Sequence, residues 1–306
     1  MSSMTEGPPP DLPEGAHAHR GTILLAEAEV SASEAHAGGQ HVLRLTCPTV
    51  AERALPGSFV HLRCAPHLAM RRPMSIMRAS AREGWFDILF KIHGAGSAQL
   101  AERRVGESLS VLGPIGRPFR LRGYRRRPLL IGGGVGIPPM IFLAEHMRAA
   151  RSGIEPLVLM GSEVPFPFPA RPSRLLVPGV AAATMAAMPL LDDWGIASRL
   201  ASTRGYPGCH EGLVTELARS WLENSGAAQA DVEIFACGPT PMLRAVQQLA
   251  REFDIPGELS VEEYMACAVG GCAGCTVAVT TAAGRAMKRV CVDGPVFDIA
   301  SVDFAD

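Results

Sequence analysis

Pro128-Leu-Leu-Ile-Gly-Gly-Gly-Val-Gly-Ile-Pro-Pro139 is the stretch that decides the fold. Residues 128–131 form a short apolar run suited to a buried strand, and 132–136 form a glycine turn. Residues 138–150 then read as a helix whose two prolines occupy the first turn, where a missing N–H costs no hydrogen bond. Glycines at such a junction let the backbone approach a pyrophosphate, and the helix N-terminus adds free N–H groups and partial positive charge. A turn needing only positive φ would use the same residues. A second strand is expected at 156–160, and the plan then repeats. A strand at 231–236 runs through Cys237-Gly238-Pro239 into a helix over 240–253, with Thr240 as its cap. Such units predict an open, mostly parallel α/β sheet whose ligands collect at the carboxyl ends of its strands.

Toward the N-terminus the pattern changes. Short β-rich runs at 21–30, 41–46, 58–63, 85–92 and 108–112 alternate with Gly/Pro turns, as in a small antiparallel barrel. Arg122-Gly-Tyr-Arg-Arg-Arg127 is the polar break between the two regions. Residues 1–20, with Pro8-Pro-Pro10 and Pro13, lack apolar periodicity and read as a tail. Residues 164–189 hold six prolines and suggest no regular element. From 258 onward the chain is a small module rich in glycine and cysteine. The expected division is a tail at 1–20, a barrel at 21–122, an α/β domain at 123–257 and the module at 258–306.

That module carries Cys267-x4-Cys272-x2-Cys275-x15-Cys291, the spacing of plant-type ferredoxins for a 2Fe-2S cluster. Four thiolates must surround two irons while backbone N–H groups approach the sulfides, so intervening residues must be small; Gly270, Gly271, Gly274, Ala266, Ala268 and Ala273 are. Zinc sites usually pair two C-x2-C hooks, and only one is present.

Composition narrows the class. At 306 residues and 47% hydrophobic content, the chain can bury two or three cores. With 29 Lys+Arg against 30 Asp+Glu, it offers no electrostatic footprint for nucleic acid or an anionic membrane. No apolar run approaches the roughly 20 residues of a membrane span, and no secretory signal opens the chain, so a soluble cytoplasmic protein is expected. H-E-x-x-H, G-x-S-x-G and Walker motifs are absent, which leaves hydrolysis and phosphoryl transfer without machinery.

Within the barrel region, Arg71-Arg-Pro-Met-Ser-Ile76 is followed by Gly94-Ala-Gly-Ser97, opening a helical stretch at 98–103, and by Leu112-Gly-Pro-Ile-Gly116. An arginine beside a strand and a G-x-G-S turn make a pair of clamps for a second pyrophosphate. Read alone, they are a surface arginine and a capped turn.

In this order, together with Cys237-Gly-Pro-Thr-Pro-Met242, these motifs resemble the ferredoxin reductase superfamily. More narrowly, Glu262-Glu-Tyr-Met-Ala-Cys-Ala-Val-Gly-Gly-Cys-Ala-Gly-Cys275 and Val290-Cys-Val-Asp-Gly-Pro-Val-Phe297 resemble the electron-transfer subunits of NAD-linked dihydroorotate dehydrogenase. The resemblance implies a barrel binding FAD through Arg72, Pro73, Met74, Ser75, Gly94, Gly96 and Ser97. It implies an α/β domain binding NAD through Gly132, Gly133, Gly134, Gly136, Cys237 and Gly238, and a 2Fe-2S cluster on the four cysteines. It further implies a separate FMN-containing catalytic subunit, a heterotetramer and a place in pyrimidine synthesis. Because nicotinamide moves hydride and a cluster moves single electrons, FAD would convert between them. The cluster loop would then face the partner.

Two positions depart from the family pattern. Met74 stands where an aromatic residue often precedes the flavin-site serine. Near Ser202-Thr-Arg-Gly205, where an acidic pair is common, Arg204 suits a 2′-phosphate, so acceptance of NADP is expected, a solvated loop arginine being the plainer reading. Other flavin and iron–sulfur subunits of the same architecture (ferredoxin-NADP oxidoreductase, sulfhydrogenase or sulfite reductase types) and a non-catalytic redox sensor remain as alternatives.

Overall fold

The computed structural model describes residues 22–149 and 153–304. The expected tail at 1–20 lies outside the described residues. Six antiparallel strands close a barrel: β1 (Leu24–His36), β2 (Gln40–Thr46), β3 (Phe59–Leu62), β4 (Arg72–Ser80), β5 (Trp85–Lys91) and β6 (Ser108–Ile115), in the order β1-β2-β5-β4-β3-β6. Val60, Leu62, Ile76, Ile88 and Val111 alternate inward and fill it. Two short helices lie on this part, α1 (Pro48–Ala51) and α2 (Gly94–Ala101). The sequence pattern missed β4 and α1. Arg72-Pro-Met-Ser lacks a clean polar–apolar alternation, and α1 is a single turn.

The second part holds β7 (Arg127–Gly133), α3 (Ile137–Ala149), β8 (Leu157–Gly161), β9 (Arg171–Pro172), β10 (Ala186–Ala187), α4 (Pro189–Asp193), β11 (Ala197–Ser202) and β12 (His210–Glu211). It continues with α5 (Val214–Asn224), β13 (Val232–Cys237), α6 (Thr240–Glu252) and β14 (Gly257–Ser260). The tail end adds β15 (Thr276–Thr281), β16 (Gly284–Arg289), β17 (Val296–Asp298) and β18 (Val302–Asp303). A seven-stranded sheet runs β12-β11-β8-β7-β13-β14-β17, parallel except for the β14–β17 pair. The C-terminal segment thus donates an edge strand to the α/β sheet and also builds the separate three-stranded sheet β16-β15-β18.

Alternating residues of β7 divide the sheet's faces: Leu129 and Ile131 join the core under α5 and α6, while Leu130 joins the core under α3. Helix α3 is apolar nearly all round because it lies between the sheet and barrel strand β4. Thr240 is not the cap expected for α6. Pro239 holds the N-cap position without a side-chain bond, and Thr240 is the first helical residue. The proline-rich segment forms the two-residue pair β9–β10, tied down by Ser173 Oγ donating to Asp192 Oδ1 at 2.6 Å. Side-chain anchors of this kind leave no periodicity to read.

Candidate functional site

A cleft of about 940 Å³ opens where barrel, sheet and C-terminal segment meet. Arg72, Pro73, Met74 and Ser75 on β4, Lys91, His93 and Ser97 form its barrel wall. Val135, Pro239 and Thr240 come from the α/β turns, and 260–266 with Gly274 come from the cysteine segment.

On the barrel side the two expected clamps lie against each other. A side chain at Gly96 would meet Arg72 Nε at 3.0 Å, so glycine is what lets α2 approach the guanidinium. Arg72 donates to the Arg71 carbonyl at 3.2 Å, and no ion pair engages it among the described residues, which leaves its charge for an anion in the cleft. The G-x-G-S sequence is itself the first turn of α2, which begins at Gly94 rather than at 98. Ser97 Oγ accepts from the His93 N–H at 2.6 Å and donates to the Gly94 carbonyl at 3.2 Å, so the hydroxyl shapes the turn from within. Met74 packs against the barrel interior as well as lining the cleft. Leu112-Gly-Pro-Ile-Gly116 closes the barrel as β6, and Gly116, at φ 97°, abuts Gly294 and Pro295.

On the sheet side, the turn after β7 and the turn after β13 stack backbone on backbone. The Cys237 carbonyl and Gly238 N–H leave no room for a side chain at Gly136, and a Cβ on Gly238 would lie 3.3 Å from Gly133 Cα. Gly132, Gly133, Gly136, Cys237 and Gly238 are buried and shape the site; Val135, Pro239 and Thr240 reach its surface. Gly134, at φ 55°, faces open space. The fully buried Cys237 thiol lies 3.9 Å from Glu262 Oε1, and burial, with the Glu262 charge added, pushes it well above the ordinary thiol range. Desolvation likewise raises the Glu262 carboxyl, although the residue as a whole is exposed along the cleft. Arg204 sits exposed two residues past β11, its N–H donating to Ser202 Oγ at 3.2 Å.

The cysteines are placed by a hairpin. β15 and β16 pair from Thr276↔Arg289 to Thr281↔Gly284, leaving Ala282 and Ala283 as a two-residue turn. Two six-residue strands, that turn and Val290 make up the fifteen residues between Cys275 and Cys291, so both sulfurs return to the hairpin's open end. The Val290 N–H donates to the Cys275 carbonyl at 2.8 Å and holds the register. Cys275 and Cys291 are within hydrogen-bond reach of each other, as are Cys267 and Cys272.

The preceding loop aims amides at these sulfurs. Ala268, Gly270 and Ala273 have φ of 56°, 80° and 52°, a left-handed geometry that turns N–H groups toward a concave side. Burial pushes the Cys267 thiol up, but the N–H groups of Val269, Cys272 and Gly271, with the Cys272 side chain, outweigh it and hold it at about 7. Burial and the neighbouring Cys275 push Cys291 up to about 12. Gly274 N–H donates to Cys272 Sγ at 3.5 Å. No group of three or more His, Cys, Asp or Glu among the described residues converges as a single ion would require. Two thiol pairs under a fan of amides are a donor set that would suit a two-iron centre, with Cys267, Cys272, Cys275 and Cys291 holding it. Cys272 is exposed and Cys275 and Cys291 are buried, while Ala266 and Gly274, next to Cys267 and Cys275 in the chain, line the cleft.

The sequence did not single out His93, Lys91, Val135, Glu262, Glu263 or Tyr264 as site residues, although all line the cleft. The signal for the last three was their position directly before Cys267.

Comparison with known proteins places this geometry in a family. Residues 262–303 match the model of the iron–sulfur cluster binding domain of dihydroorotate dehydrogenase B. The chain is 30% identical over 274 residues to the electron transfer subunit of dihydroorotate dehydrogenase B (NAD(+)) from Desulforamulus reducens, covering 89% of this chain and 95% of the relative. It is 33% identical over 267 residues to the Geobacillus kaustophilus protein of the same name, with 85% and 91% covered. Among solved structures, an NADH-dependent reduced ferredoxin-NADP oxidoreductase superposes with a TM-score of 0.70 at 23% identity, over 91% of this chain and 90% of that one. The ferredoxin reductase of carbazole 1,9a-dioxygenase gives 0.59 at 22%, over 76% and 67%. These two likenesses establish the ferredoxin reductase fold. No helix among the described residues is long and apolar enough to cross a membrane. By its relatives and its C-terminal domain, the chain belongs to the electron transfer subunits of dihydroorotate dehydrogenase B, an oxidoreductase family.

Proposed function

We propose that this chain passes electrons between a nicotinamide dinucleotide and an FMN-containing, dihydroorotate-oxidising subunit in the cytoplasm, serving pyrimidine synthesis as part of a heterotetramer. The observation that carries this reading is the single cleft shared by the barrel clamps, the stacked sheet turns and the cysteine loop. When bound, nicotinamide would supply hydride chemistry, FAD the exchange between electron pairs and single electrons, and a 2Fe-2S cluster the one-electron exit.

The chain's own residues divide these tasks. Arg72, Pro73, Met74, Ser75, Gly94, Gly96 and Ser97 would hold the FAD, with Arg72 and the first turn of α2 taking the pyrophosphate charge. Gly132, Gly133, Gly134 and Gly136 would pass the dinucleotide backbone over the N-terminus of α3, with Cys237 and Gly238 behind the nicotinamide. Cys267, Cys272, Cys275 and Cys291 would hold the cluster. The exposed Cys272 side of the loop would meet the partner. Arg204 has no carboxylate bonded to it among the described residues, which supports acceptance of NADPH beside NADH.

The test is co-expression with an FMN-type dihydroorotate dehydrogenase. Co-purification, flavin absorbance, iron with acid-labile sulfide, and dihydroorotate-dependent NAD reduction are expected together. A complex with full flavin but neither iron nor sulfide would refute the cluster assignment. An intact, fully loaded complex without turnover would refute the partner.

A further inference from the structure

Arg78 lies on β4 three residues beyond Ser75, and Glu145 lies on α3, the helix that starts at the glycine turn. One strand therefore carries a flavin-site motif and the guanidinium, while one helix carries the nucleotide turn and the carboxylate. The two groups form a fork: Arg78 Nη2 donates to Glu145 Oε1 at 2.6 Å and Nε to Oε2 at 3.1 Å, both side chains about three-quarters buried. Two tryptophan rings lie within cation–π range of the guanidinium. Arg78 lies over Trp85 of the barrel at 5.6 Å and over Trp194, just after α4, at 5.1 Å. Arg44, itself forked to Asp87, lies over Trp85 at 3.6 Å, and Arg148 on α3 lies 5.6 Å from Trp194. Arginine and tryptophan thus alternate across the seam between barrel and sheet domain.

An ion pair isolated on a surface would hold little. This one is forked, partly buried and flanked by aromatic rings, and it bridges two elements whose relative placement would set the approach of a bound nicotinamide to a bound flavin. We infer that Arg78 and Glu145, braced by Trp85 and Trp194, form a positioning clamp that fixes the sheet domain's turn over the barrel's flavin strand. It deepens the functional reading above and rests on it. The step it serves moves a hydride from NADH, which leaves as NAD⁺, to the flavin, which also takes up one proton. Such a step tolerates little misplacement; a shift of about 1 Å can cost on the order of 100-fold.

The experiment uses the full chain, with Arg78→Met, Arg78→Lys and Glu145→Gln. Stopped-flow bleaching of the flavin by NADH separates dinucleotide affinity from the limiting rate. Hydrogen exchange of the α3 and β4 amides reads the seam without any turnover. The clamp predicts a limiting rate lowered at least about tenfold in Arg78→Met and Glu145→Gln, flavin content unchanged, faster exchange in α3, and partial rescue in Arg78→Lys. A limiting rate within twofold of wild type, with α3 exchange unaltered, overturns it. If Arg78→Met fails to fold, the volume-conserving Glu145→Gln carries the same two readouts. A wild-type protein that NADH does not bleach overturns the functional reading, and the exchange measurement then decides the clamp alone.

Discussion

His61 should make this protein lose stability in mild acid. The residue sits on β3, fully buried, and burial together with the Arg71 charge lowers its pKa from 6.5 to about 4, outweighing the backbone groups of Met265 and Arg71 that favour its charged form. Arg71 cannot move away. Its guanidinium donates to the His61 carbonyl at 3.2 Å and to the Ser110 carbonyl at 2.8 Å. A histidine whose folded pKa is depressed is neutral in both states above 6.5, so its contribution is flat there. Below 6.5 the unfolded chain takes up a proton that the folded chain refuses. Stability therefore falls with pH at about 1.4 kcal/mol per unit until the folded group titrates near 4. The drop is about 2 kcal/mol at pH 5 and about 3 kcal/mol at pH 4. Carboxylates and the cysteine loop respond to acid too, so the readout is a difference. Denaturation midpoints of wild type and His61→Gln, followed by tryptophan fluorescence at pH 7.5 and pH 5, should show the variant losing about 2 kcal/mol less between the two conditions. Equal losses would refute the reasoning.

Three further outcomes are expected. Gly136→Ala should abolish flavin bleaching by NADH while FAD stays bound, because the new methyl group meets the Cys237–Gly238 peptide rather than a movable side chain; unchanged bleaching in a titration with NADH would count against the stacked turns. Gln247→Leu should destabilise by about 2 to 4 kcal/mol, since its buried amide donates at 2.7 Å to both the Ile299 and the Val302 carbonyls, and thermal melting checks this. Arg204→Glu should remove turnover with NADPH and spare turnover with NADH; a parallel loss of both would assign the arginine to folding instead.

What the sequence revealed and what it hid divide along physical lines. The cysteine module was legible because its pattern is local: sulfur count and small intervening residues are visible in one loop, and the remaining fifteen-residue gap is the length of the one hairpin that brings Cys291 back to Cys275. Strand–glycine–helix junctions were legible for the same reason. β4 was not, because Pro73 and Arg72 near its start break the alternation, although β3 supplies a partner for each, His61↔Pro73 and Leu62↔Arg72. The cleft was not legible either. Val135, Tyr264 and His93 share it only because three segments far apart in the chain fold against one another, and none of them has a signature of its own. Periodicity could report α6, with Leu243, Val246 and Ala250 on one face, but not the side-chain anchors at Ser173 and Asp192 that order the proline-rich segment.

The motifs are seams before they are sites. Gly96 admits Arg72, Gly136 admits Cys237 and Gly238, and Gly116 admits Pro295, which brings Asp293-Gly-Pro-Val-Phe297 against the barrel. Arg289 repeats the device in the cysteine segment, bonded at once to the Gly270 carbonyl at 3.0 Å and to Asp293 at 3.0 Å, so the amide-rich loop and the strand leading to Cys291 move together. Replacing one of these glycines therefore disturbs packing and ligand contact at once, so lost activity in such a variant, as in Gly136→Ala, reports the seam and does not by itself assign a binding role. Roles in binding separate from roles in folding at residues that reach the cleft without closing a seam. Val135 and Thr240 meet that condition: both are exposed and both line the cleft. The function of the cleft is thus best probed at its least conspicuous residues, since the glycines that announce it in the sequence are holding three folding units together.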